Sequence, residues 1–381
     1  MEDGAAPRLR GAVLVVTSPC NLRCRYCLQD RHPARRMSDE TARLALDRLF
    51  ESRPRKAEIA FYGGEPLLAF DLVRRTVEEA ERRRPPGGRL LFGLSTNGLL
   101  LDVRKAAFLA AHGVDTQVSF DGCRAAQELR APGTFEALSD RLDDLRRCSP
   151  DFYRRCLEVA LIVTPENLHV LASSVKELLS RKVPRISLGP VMGARVRWDG
   201  SQEAELDRQL RLVYRTCRSL YERSGRVPVT LFRRGLGRPV APKRGAMCGI
   251  GRGQSITVDV DGEVSACQLL ARSLGTFSGP GLHRWVEPLR IGRLDEPDLA
   301  TRLERFRAEV RRSPLFMQSD RKHSGRRRCA DCRYGASCHI CPVAIAHAGP
   351  DPHLVPEFLC AFRRVSLEYR ERFPVQLDIP A

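Results

Sequence analysis

The chain has 381 residues, 43% of them hydrophobic, which is enough for a large α/β unit plus a smaller module and excludes a disordered polymer. Apolar runs stay short of the roughly eighteen residues a membrane span needs, and the acidic start MEDGAAPRLRGAVLVV lacks a signal peptide's basic segment and cleavage site, so a cytoplasmic protein with no membrane association is expected. The net charge of +18, from 64 basic and 46 acidic residues, suits an acidic partner, but 6% aromatics with no basic–aromatic interleaving make nucleic acid an unlikely one.

The elements alternate along the chain. GAVLVVT (11–17) reads as a buried strand, and SDETARLALDRLFE (38–51) as a helix with a Ser cap and an acidic first turn. Four strand–helix pairs follow: EIAFY (58–62) with 71–84, RLLFGLS (89–95) with 102–113, DTQVSF (115–120) with 134–147, and CLEVALIV (156–163) with 166–181. RISLG (185–189) and the long helix 201–224 complete six β–α units. Such alternation builds a parallel sheet, either a partial barrel or an open doubly wound sheet. Beyond residue 230, Gly, Pro, Arg and Cys dominate, and metal ligation would supply stability that the short apolar runs do not. The expected domains are 1–230 and 231–381.

Cysteine carries the chemistry. There are 14; three lie within 20–27 and seven between 248 and 360, clustering that in a reducing compartment means metal sites rather than disulfides. Cys20-x3-Cys24-x2-Cys27 directly follows the first strand. Three thiolates at this spacing hold three corners of a [4Fe–4S] cube and leave one iron open to a ligand. Zinc is the competing reading, with His32 as a fourth ligand.

The next three strands also end in polar clusters: Gly63-Gly64-Glu65-Pro66, Ser95-Thr96-Asn97-Gly98 and Ser119-Phe120-Asp121-Gly122. Each alone is an ordinary turn. Loops after successive parallel strands converge on one face, where ligands bind, so one shared cavity accounts for all four.

Together Cys20–Cys27 with Tyr26, Gly63–Pro66, Ser95–Gly98 and Ser119–Gly122 resemble the radical S-adenosylmethionine (SAM) superfamily over residues 11 to about 190. The resemblance implies a partial (β/α)6 barrel whose open iron chelates SAM. It places the SAM amino group on Gly63, Gly64 and Glu65, with Pro66 closing the motif. Tyr26 would lie near the adenine, and Thr96, Asn97, Ser119 and Asp121 around the ribose and carboxylate. One electron then cleaves SAM to a 5′-deoxyadenosyl radical that abstracts a substrate hydrogen.

The later cysteines resemble the SPASM extension of that superfamily: Cys248, then Gly262-x4-Cys267, then Cys329-x2-Cys332-x5-Cys338-x2-Cys341, then Cys360. The likeness implies two auxiliary [4Fe–4S] clusters, three in all. Cys248, Cys267 and Cys341 would hold one, with its fourth position open or non-Cys, and Cys329, Cys332, Cys338 and Cys360 the other. Paired Cys-x2-Cys would also suit zinc. Two departures stand out. The interval from Cys338 to Cys341 is one residue shorter than is usual in the family, and Gln268 follows Cys267 where sulfatase-maturating relatives carry an Asp that serves as a base. Cys123, following Gly122, is a candidate hydrogen-atom donor to the cavity. Cys148, Cys156 and Cys217 read as buried apolar residues; His323, His339 and His347 lie near the clusters, and Arg326–Arg328 is a solvated run or a docking patch.

The expected activity is hydrogen abstraction from a ribosomal peptide or small protein, giving a crosslink, thioether, epimer or oxidised side chain. Flavodoxin or ferredoxin would be the reductant, and a separate leader-binding protein is a further possible partner because few residues precede the first strand. The rivals are a radical SAM enzyme of a small metabolite such as a sugar or aminoglycoside precursor, and a non-catalytic metal-binding module.

Overall fold

The apolar run that begins near residue 11 forms β1 (Gly11–Thr17), buried at six of its seven positions as a strand covered on both faces must be. The computed structural model describes residues 9–29, 34–51, 53–192, 196–233, 253–275, 287–317, 319–325 and 327–374. After β1 come α1 (Asp39–Phe50), β2 (Lys56–Gly63), α2 (Phe70–Arg82), β3 (Arg89–Thr96), α3 (Val103–Ala111) and β4 (Val114–Ser119). Three helices, α4 (Arg124–Arg130), α5 (Phe135–Cys148) and α6 (Pro150–Arg155), precede β5 (Leu157–Val163); α7 (Leu171–Ser180), β6 (Ile186–Pro190), α8 (Gln202–Ser224) and α9 (Thr230–Arg233) follow.

Local chemistry explains the boundaries. Ser38 caps α1 by accepting from the Thr41 N–H at 3.0 Å, and Asp102 caps α3 by accepting from the Lys105 N–H at 2.8 Å. In α2, Leu72, Val73, Thr76, Val77 and Ala80 form the buried stripe, while Arg74, Arg75, Glu78 and Glu79 lie on the opposite face. Gly225 ends α8 in the left-handed conformation at φ 66°.

Strands β1 to β6 lie side by side in chain order and all run parallel, so the six expected units form the partial barrel. The sheet then continues past β1 with β7 (Ser255–Val258), parallel to it, and with β8 (Glu263–Ser265) and β9 (Arg290–Arg293), both antiparallel. Pairing of β1 with β2 shifts register between Val15 and Thr17, one residue before the cysteine loop opens. The rest of the described chain adds α10 (Leu299–Arg312), the short pair β10 (His323–Ser324) and β11 (Arg327–Arg328), α11 (Pro342–Ala348) and α12 (Glu357–Glu371). The last of these packs on α8, and just beyond its end Phe373 stacks on Phe232 with centroids 4.7 Å apart and meets Tyr214 edge-on at 6.0 Å.

Candidate functional site

Cys20, Cys24 and Cys27 occupy the loop after β1. The loop is pinched at its base, where Ser18 N–H donates to Arg35 C=O (2.9 Å) and Met37 N–H to Val16 C=O (3.0 Å). None of the three is in a disulfide, and Cys20 and Cys27 are exposed. The turn between them is made locally, with Cys27 N–H donating to Cys24 C=O at 3.1 Å and Leu22 N–H to Cys20 Sγ at 3.4 Å. Burial pushes the Cys20 and Cys24 thiols up, with Arg130 opposing it at Cys24, so loading a metal here displaces protons.

The ends of the next three strands bond to this loop. Gly64 N–H donates to Thr17 C=O and Glu65 N–H to Pro19 C=O, both at 2.9 Å. Gly63 lies at φ +151°, and a Cβ on Gly64 would collide with the carbonyl oxygens of Ser18 and Pro19; only glycine lets the two backbones approach so closely. Gln29 Nε2 returns from the cysteine loop to Gly63 C=O at 3.0 Å. From the end of β3, Asn97 Nδ2 donates to Asn21 Oδ1 at 2.7 Å and reaches Cys20 Sγ at 3.7 Å.

Glu65 follows the glycine pair at the end of β2. Its carboxylate is fully buried and accepts from Leu67 N–H (2.9 Å), Thr96 Oγ1–H (2.7 Å) and Asn97 N–H (2.7 Å). Burial pushes its pKa up while these three donors oppose the shift, and the carboxylate ties the β2 and β3 ends together. Thr96, expected at the ribose, is likewise buried between Glu65 and Gly98 N–H, 3.0 Å away. Pro66 opens the short 3-10 turn Pro66–Ala69 that Glu65 caps.

Asp121, also expected at the ribose, is fully buried in a network the sequence did not reveal. Arg130, at the end of α4, grips it with two bonds, Nη2 to Oδ1 at 2.7 Å and Nε to Oδ2 at 3.0 Å. Tyr26 OH donates to Oδ2, and Ile162 N–H to Oδ1 at 2.9 Å. The Arg130 guanidinium lies 5.2 Å from the Tyr26 ring centroid, and its carbonyl accepts from Arg25 N–H at 3.1 Å. Burial opposes the charge on Arg130, but Asp121 outweighs it and the pKa rises; burial also raises that of Tyr26. Ser119 ends β4 half-buried, opposite Ala160.

Cys123 Sγ accepts from Ser174 Oγ at 3.3 Å, which ties it to α7; Cys156 and Cys217 are buried as expected, whereas Cys148, at the end of α5, is exposed. Tyr62, before the glycine pair, joins the two cysteine regions: burial pushes its hydroxyl up to about 12, and both Cys27 and Cys267 add to the shift. Cys267 follows β8, and its thiol lies 3.7 Å from Gln268 Oε1.

A second centre forms at the C-terminal end. Cys329, Cys332, Cys338 and Cys360 line one cavity of about 560 Å³, three of them from the loop after β11 and Cys360 from α12. Burial pushes Cys329 up to about 11 and Cys338 up to about 12, and the neighbouring thiols add to both shifts. Lys322 also lines the cavity; it is 1% exposed, and burial pushes it down to about 8. Cys341 caps α11 and is left out of that lining. His323 Nε2 lies 3.3 Å from Asp351 Oδ2. Cys248, His32 and Arg326 fall outside the described residues.

The donor sets fit iron–sulfur clusters. Four soft thiols around one cavity match a fully ligated cube, and a loop that offers three matches a cube with one open corner.

A Cys-x3-Cys-x2-Cys loop gripped by the ends of successive parallel strands in a partial (β/α)6 barrel defines the class of radical SAM enzymes. Residues 14–168 match the Radical SAM superfamily, and the chain carries that domain. Among its relatives is the serine-type anaerobic sulfatase-maturating enzyme of Klebsiella aerogenes, 26% identical over 346 residues that cover 87% of this chain and 78% of that one. Its fold is that of the solved anSMEcpe with bound AdoMet and Cp18Cys peptide (TM-score 0.73, 18% identity, 95% of this chain and 96% of that one). Streptococcus suis SuiB bound to its precursor peptide SuiA is similar at a TM-score of 0.57, with 12% identity, 93% of this chain and 76% of that one. No described helix is long and apolar enough to cross a membrane.

Proposed function

We propose that this chain is a peptide- or protein-modifying radical SAM enzyme with three [4Fe–4S] clusters. The observation that carries the reading is the grip of the β2, β3 and β4 ends on the Cys20–Cys27 loop, which fixes three thiols at the mouth of the sheet. The likeness of fold over more than nine-tenths of the chain to proteins solved with bound peptides supports a peptide substrate. When bound, the cluster and SAM supply one electron and a 5′-deoxyadenosyl radical for hydrogen abstraction.

The chain's own residues bind, orient and insulate. Cys20, Cys24 and Cys27 hold the first cube, and the Gly63–Gly64 backbone brings β2 against it. Asn97 and Asn21 brace Cys20; Tyr26, set by Asp121 and Arg130, makes one wall. Cys329, Cys332, Cys338 and Cys360 hold one auxiliary cluster, and Cys267 and Cys341, with Cys248, belong to the other. A flavodoxin- or ferredoxin-type protein delivers the electron. Gln268 is an amide that takes no proton at neutral pH, so formylglycine synthesis is disfavoured and a different side-chain modification is the expected product.

Anaerobic reconstitution tests the reading. About twelve irons per chain and 5′-deoxyadenosine from SAM after dithionite reduction are expected, with Cys24→Ala abolishing the SAM cleavage. Bound zinc with no SAM cleavage would overturn it.

A further inference from the structure

Lys322 is one of the few lysines of this arginine-rich chain and the most deeply buried cationic side chain among the described residues, at 1% exposure. Its ammonium donates to three backbone carbonyls, those of Pro314 (2.9 Å), Leu315 (3.4 Å) and Pro352 (3.0 Å). It lines the same cavity as Cys329, Cys332, Cys338 and Cys360, and its own carbonyl accepts from Cys329 N–H at 2.8 Å. No carboxylate pairs with it among the described residues. Asp351, which bears on it electrostatically, is half-buried and bonded to His323.

The other cations of the cavity differ in one respect. Arg327 and Arg364 both bind Glu203, and Arg333 binds Glu371, so each already has an anion. A buried ammonium held only by neutral carbonyls is costly unless another negative charge stands close by. The three ammonium N–H groups match these three carbonyls, which accounts for the bonds but leaves the buried charge itself uncompensated. Four thiolates around a [4Fe–4S] core provide that charge, and provide more of it after reduction.

We propose that Lys322 is a tuning residue that raises the reduction potential of the cluster held by Cys329, Cys332, Cys338 and Cys360. This rests on the reading of those four cysteines as one iron–sulfur site. Reduction brings one electron from an external donor into the cluster and makes or breaks no bond; a fixed cation beside it favours the more negative product. A lysine serving only as a structural tie would affect stability and leave the potential where it was.

The test is a redox titration with dithionite, followed by electron paramagnetic resonance, of the reconstituted full chain carrying Cys24→Ala so that the first cluster is silent. Lys322→Gln keeps donors for the carbonyls and removes the charge; Lys322→Arg keeps the charge. One auxiliary wave in the Gln variant is expected to move to lower potential by about tenfold in the oxidised-to-reduced ratio, about 59 mV for one electron, with the Arg variant staying near the parent. Equal midpoints in all three proteins, or a common shift in both variants, would overturn the proposal. So would loss of the cluster from both variants while circular dichroism stays native, because the lysine would then be an assembly tie. A parent protein that binds zinc at these cysteines, or shows only one auxiliary wave, would instead refute the four-cysteine cluster itself, a result visible before any lysine is changed.

Discussion

Asp121 and Arg130 show how much of the candidate site is internal bracing. Both are almost wholly buried, and between them they tie Tyr26 of the cysteine loop, the end of β4, the end of α4 and the backbone of β5. Removing one partner strands the other's charge away from water. Arg130→Met is therefore expected to cost about 3–5 kcal/mol in chemical denaturation, with the Asp121→Asn/Arg130→Met pair costing less than the sum of the singles. Additive costs would mean that the two are not a unit. Asp121 was legible in the sequence because it ends a strand in a row of similar strand ends; Arg130 was not, because nothing in RAAQELR separates a buried arginine from a solvated one. The same limit applies to Glu65 and Thr96. Their residue types suit a ligand as well as they suit each other, and only coordinates show that their bonding capacity is used within the protein.

At the scale of elements, the longer helices and the strands up to residue 224 were predicted to within a few residues, while α4, α6 and every element beyond α8 were not predicted. Helices of 7 and 6 residues are marginal on local propensity, and these exist because tertiary bonds hold them. The C-terminal helix α12 matters more for function. It supplies Cys360 to the second cysteine centre, and just beyond its end Phe373 packs into the aromatic cluster of Tyr214, Tyr221 and Phe232. Phe373→Ala is expected to cost about 3–5 kcal/mol in urea unfolding and to loosen α12 from α8. If the helix orders Cys360, iron retention should fall with it; a destabilised protein that still holds its full iron would show that the cluster orders the helix instead.

For the molecule as a whole, the cysteine-rich region is bound to the barrel through the backbone. β7 hydrogen-bonds to β1, the strand that leads into Cys20, and β8 leads from it to Cys267. β1 thus lies between β2, which carries Tyr62 and the glycine pair, and β7, which leads into the Cys267 region. The Cys329–Cys360 centre sits apart, built from the loop after β11 and from α12. Cys332→Ala is accordingly expected to remove about four irons per chain while leaving SAM affinity within about threefold in equilibrium dialysis. Loss of SAM binding along with the iron would show that the two centres form a single cooperative unit.

The amino-acid sequence by itself determined the order of strands and helices, the position of the cysteine loop and the class of chemistry, because periodicity, caps and thiol spacing are local properties of the chain. Tertiary structure alone decided that Glu65, Thr96 and Asp121 brace the strand ends, that Cys123 turns toward α7, that β7 extends the barrel sheet, and that Lys322 stands buried beside four thiols. Each of these depends on which distant segment comes to lie against a side chain, and whether a polar group has its partners inside the protein is settled only by that packing.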